Sequence, residues 1–177
     1  MSKSVFGIST TFSQTERIVE ELHAQGFAAS EISVLMPDTG GTHDFGHIKA
    51  TKAPEGATTG ATAGGATGGV IGLLAGIGAL AIPGVGPFIA AGPIMAALSG
   101  AAVGAATGGV VGGLIGLGIP EIEAKRYEEK LKKGSYLIAV HTDESEDVDR
   151  AKQIFKAARA EDVTSVCEAS VLKSLNK

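Results

Sequence analysis

The chain has 177 residues, and its 15 basic and 19 acidic side chains give a formal net charge of −4. That balance leaves no basic footprint for nucleic acid, and a single cysteine excludes a disulfide framework or a multi-thiolate metal site. The opening MSKSVFGIST lacks the long apolar run of a signal peptide, so the N-terminus is expected to stay in the cytoplasm.

Residues 4–9 (SVFGIS) alternate as a strand does. Ser13 and Glu16 have the spacing of a capping box, and Ile18, Val19 and Leu22 give the following helix its apolar stripe. Gly26 is placed to stop that helix in a left-handed turn. Residues 32–36 (ISVLM) form a second strand, and 37–41 (PDTGG) a loop. In HDFGH, which follows, His43 and His47 would share a helix face as metal ligands do, but the surrounding glycines favour a polar loop.

Residues 56–120 then run for 65 positions without Asp, Glu, Lys or Arg, and hold 20 of the 26 glycines. Glycine recurs every fourth residue in two series, Gly60, Gly64, Gly68, Gly72 and Gly76, then Gly100, Gly104, Gly108, Gly112 and Gly116. The block is a direct repeat at an offset of 40, which also carries Thr67 onto Thr107, Val70 onto Val110 and Leu74 onto Leu114. Between the series, residues 82–93 (IPGVGPFIAAGP) cannot continue a helix. Glycine at this period leaves a groove along a helix that lets two backbones approach closely. Each such glycine costs about 1 kcal/mol relative to Ala in a helix interior, so the environment must force the hydrogen bonding. Lipid does so, and so does a packed protein core. A period of four excludes collagen, and the absence of Lys excludes a phosphate-cradling loop.

After the block, residues 121–133 (EIEAKRYEEKLKK) read as a connector helix, acidic at its start and basic at its end, with Tyr127 and Leu131 inward. Residues 135–141 form a strand, Val148, Ala151, Ile154 and Phe155 mark a helical face, and 163–167 a last strand. The flanks thus read as two β-α-β halves, predicting an α+β, ferredoxin-like sandwich interrupted by a glycine-zipper helical hairpin. The expected organisation is 1–42 as the first half, 43–56 as linker, 57–119 as hairpin, 120–134 as connector helix, 135–170 as the second half and 171–177 as tail. Hairpin helices over 57–81 and 93–118 would each be long enough for about 30 Å of hydrocarbon.

The run SVFGISTTFSQTERIVEELHAQGFAASEISVLMPD resembles the bacterial general stress protein family, the heat-induced stress-protein domain. FGHIKATKAPEGATTG, AIPGVGPFIAAGP and GLGIPEIEAKRYEEKLKKGSYLIAVH are similar to bacterial stress or low-temperature-induced proteins of this architecture. A more distant similarity, of architecture rather than motif, is to a small membrane subunit of quinol-linked oxidoreductases. The resemblance implies a stress response and no catalytic residues.

No nucleophile, base and orienting group converge in any motif, so no catalytic, cofactor or metal site is expected. His141 is expected at the surface, and Cys167 packed as a small hydrophobe. The ten glycines of the two series are the expected packing residues. The expected function is non-enzymatic self-association through the hairpin at a lipid bilayer, both termini cytoplasmic, with no nucleic acid or small-molecule substrate. The alternatives are a cytoplasmic soluble assembly, a shell or filament with the hairpins as its core, and an accessory membrane subunit of a redox complex.

Overall fold

The computed structural model describes residues 3–37, 78–82, 86–95, 98 and 109–167. Within them β1 (Lys3–Ser9), β2 (Ile32–Pro37), β3 (Gly78–Ile82), β4 (Gly86–Ala91), β5 (Tyr136–Thr142) and β6 (Glu161–Cys167) form one mixed α/β sheet system with four helices. These are α1 (Phe12–Ala24), α2 (Gly109–Gly116), α3 (Glu121–Lys132) and α4 (Ser145–Ala157). The strand order is β3-β4-β2-β5-β1-β6, and every neighbouring pair is antiparallel.

The two β-α-β halves interleave. β1 lies between β5 and β6, and β5 between β1 and β2, so neither half owns a separate sheet. On one face, α1 (Ile18, Val19, Leu22) and α4 (Ala151, Ile154, Phe155) bury Val5, Ile32, Val34, Ile138 and Val140. A fully buried side chain of this size contributes roughly 1.5–3 kcal/mol relative to exposure, so this layer carries much of the stability. Gly7 makes room for it: a Cβ there would stand 2.9 Å from the Phe155 ring.

The N-cap of α1 falls two residues before the expected Ser13. Thr11 is extended (φ −135°, ψ 152°) and its hydroxyl accepts from Gln14 N–H at 3.2 Å, while Gln14 Oε1 accepts from Thr10 N–H at 3.0 Å. The Thr-x-x-Gln pair therefore takes the role expected of Ser13 and Glu16, because Thr11 is the last extended residue after β1. Gly26 (φ +93°) ends the helix, with Phe27 N–H bonded to Leu22 O at 3.1 Å.

Most of the expected helical hairpin lies outside the described residues, and the described part of the charge-free block includes two strands. Residues 78–81, placed in its first helix, belong to β3, and the non-helical stretch supplies β4, which pairs with β2 from Val34↔Ala91 to Pro37↔Phe88. In β4, Phe88 and Ala90 join the second face while Ala91 joins the first, the period-two alternation of a strand. Of the predicted second helix, residues 99–108 lie outside the described residues; Gly109, the first described residue of α2, has φ +45°.

The block and connector helix cover the sheet's other face. Ile94, Leu98, Val110, Leu114, Ala124, Tyr127 and Leu131 pack on Phe6, Ile8, Leu35, Phe88, Leu137 and Ala139. Helices thus lie on both faces, where a two-layer sandwich has them on one. The reason is composition: β5 alternates Leu137 and Ala139 with Ile138 and Val140, apolar on both sides, and each side needs a cover.

Candidate self-association surface

Of the ten zipper glycines, Gly112 and Gly116 lie among the described residues, and Gly60, Gly64, Gly68, Gly72, Gly76, Gly100, Gly104 and Gly108 lie outside them. His43 and His47 lie outside them too, as does the 43–56 linker.

α2 carries two different glycine faces. Its inner side holds Val110, Gly113 and Leu114, all buried. A Cβ on Gly113 would stand 2.4 Å from Leu98 Cδ2, so this glycine admits a side chain from the preceding segment. On the outer side, a Cβ on Gly112 or Gly116 would meet no described residue within 4 Å. The close intramolecular approach thus falls on Gly113, which the four-residue period skips; the Gly112-Gly113 doublet was the available signal.

Beside the open glycines, Ile115 is 42% exposed, and Ile122 in the first turn of α3 is 76% exposed. These are the exposed large hydrophobic side chains among the described residues. α2 has no charged residue, so its open side offers an incoming surface apolar contact and bare backbone, with no ion to desolvate. The connector carries the nearest charges. Lys125 pairs with Glu121 at 2.6 Å and Lys132 with Glu128 at 3.1 Å, as their spacing predicts.

α3 is tied down on its other side. Tyr127 O–H donates to Asp162 O at 2.8 Å, and burial pushes its pKa up to about 12. Lys130 reaches Glu161 at 2.6 Å and Asp162 at 2.7 Å; these carboxylates outweigh burial and hold it above the usual lysine range. Asp162 itself has φ +48° and sits where the β1–β6 register shifts, between Phe6↔Thr164 and Ile8↔Glu161.

Two expectations are corrected here. His141 is half-buried rather than a surface residue, its ring between Ser4 Oγ and Ser33 Oγ, each at 2.9 Å, and edge-on to Phe6. Cys167 is exposed rather than packed, because β6 is an edge strand and the residue ends it. An open groove of about 730 Å³ runs between α1 and α4, its rim mixing Arg17 and Arg150 with Glu20 and Glu21. Among the described residues, no group of three His, Cys, Asp or Glu could hold a metal ion. Nor is any helix among them long and apolar enough to cross a membrane.

No protein-family model, curated protein or solved structure matches the chain.

Proposed function

We propose that this is a non-enzymatic protein that self-associates through its charge-free block, with the outer side of α2 as the part of that interface nearest the α/β domain. The observation that carries the reading is the open space over Gly112 and Gly116: no described residue lies within 4 Å of a Cβ built on either, beside an Ile115 left 42% exposed. A helix that gives up side chains on a solvent face loses about 1 kcal/mol per glycine and gains nothing there alone. A second backbone in van der Waals contact supplies the return. The order β2-β5-β1-β6, with α1 and α4 on one face, supports reading the domain as a ferredoxin-like sandwich to which the block adds β3, β4 and a second helical layer. The likeness of the N-terminal run to bacterial stress proteins supports a role in the stress response.

The test separates assembly from folding. Because a Cβ on Gly112 meets no described residue within 4 Å, Gly112→Leu should leave the melting temperature unchanged or slightly raised. The same substitution lowers the oligomer mass measured by light scattering. A wild-type protein that is monomeric at all concentrations, or an oligomer indifferent to Gly112→Leu, contradicts the proposal.

A second reading, attachment to a lipid surface, is favoured by Ile122, 76% exposed one helical turn from Lys125 and Arg126. Flotation with anionic vesicles that Ile122→Ser abolishes would support this reading; protein left at the bottom of the gradient would reject it.

A further inference from the structure

Among the described residues, the charge-free block meets the α/β domain at a polar junction set in an apolar layer. After β4 the chain turns at Gly92 (φ +78°), where a Cβ would stand 2.2 Å from Ile32 O and 2.8 Å from Ser33 Oγ. It then starts a helical turn across the second face, burying Ile94 and Leu98. The first backbone donors of a helix lack partners within it. Here Ile94 N–H donates to Ser33 Oγ at 3.1 Å, so a serine on β2 caps a turn belonging to another segment. Ser33 is fully buried and His141 Nε2 lies 2.9 Å from its hydroxyl, while Nδ1 lies 2.9 Å from Ser4 Oγ on β1.

We infer that His141 is a clasp: it fixes the Ser33 hydroxyl as the acceptor for Ile94 N–H, and so holds the block's second arm down on the sheet. The hydrogen assignment that fits these three contacts has Ser33 O–H donating to Nε2 and Nδ1–H donating to Ser4 Oγ. The Ser33 lone pairs then remain for Ile94 N–H. Ser4 is the anchor that sets the ring plane, and Ser33 is the working end. Loss of the ring leaves a buried serine free to rotate, its cap weakened, and the turn after Gly92 opens while the strands stay paired. His141 therefore acts as a positioning residue for the block, independently of what covers α2.

The two ring nitrogens can be separated by substitution. In His141→Gln the longer amide reaches toward the Nε2 position and accepts from Ser33; in His141→Asn the shorter one retains only the Ser4 side. Amide hydrogen exchange is read at Ile94, relative to Val34 in the same sample, so that a general loss of stability cancels. The clasp predicts faster relative exchange at Ile94 in His141→Asn, by about tenfold, the worth of one buried hydrogen bond. It predicts near wild-type exchange in His141→Gln. Ser33→Ala, which removes the cap itself, should match or exceed His141→Asn. Equal effects in Asn and Gln variants, or an Ile94-to-Val34 ratio unchanged in both, overturn the inference. If His141→Asn does not fold, an unchanged ratio in Ser33→Ala overturns it and a raised ratio with a normal His141→Gln sustains it.

Discussion

Gly92 and Tyr127 show how single side chains decide whether the block can sit on the domain. At Gly92 a methyl group would collide with the carbonyl of Ile32, a backbone atom that cannot step aside, and φ +78° adds strain for any L residue. Gly92→Ala should therefore destabilise by at least about 2 kcal/mol, lowering the melting temperature by roughly 4–8 °C in a chain of this size. At Gly113 the collision is with the end of the Leu98 side chain, which can rotate, so Gly113→Ala should cost clearly less than Gly92→Ala in the same thermal melt. Tyr127 gives a pH signature. Its folded pKa, pushed up to about 12 by burial, lies above the ordinary value of 10.0, so the unfolded chain releases the phenol proton first. Its contribution is present below about pH 10 and is lost as pH rises through about 12. Tyr127→Phe should flatten that alkaline loss in pH-dependent denaturant melts, and lower stability at neutral pH by about 1 kcal/mol through the lost bond to Asp162 O.

Among the elements, those with a full apolar period and a stop signal were legible: α1 to Gly26, β2, the connector helix with Tyr127 and Leu131 inward, and α4 with its four buried side chains. The block was not. Short apolar runs such as GALAI and GPFIAA fit a buried strand and a helix equally by periodicity, and what decides is pairing: β4 has β2 to lie against. The glycine period pointed to close packing, yet the packed glycine of α2 is Gly113, because Leu98 arrives from that side. His141 could not be read from its neighbours, since Ser4 and Ser33 stand 137 and 108 residues away in sequence. Cys167 was misjudged because an alternating strand does not reveal whether it is central or at an edge.

For the whole molecule, the described part of the charge-free block shares a core with the α/β domain: two of its strands extend the sheet, and α2 helps to cover the second face. Among the described residues, nothing covers Gly112 and Gly116 on the outer side of α2. On our proposal a second copy occupies it, as the open glycines allow. The most direct measurement is oxidative cross-linking of Ile115→Cys in a Cys167→Ser background, with Gln153→Cys on the exposed side of α4 as the control. The account predicts a disulfide-linked dimer from Ile115→Cys at protein concentrations where Gln153→Cys yields none, and its loss when Gly112→Leu is added. Equal cross-linking at both positions, or none at Ile115→Cys in a protein that assembles, would contradict it.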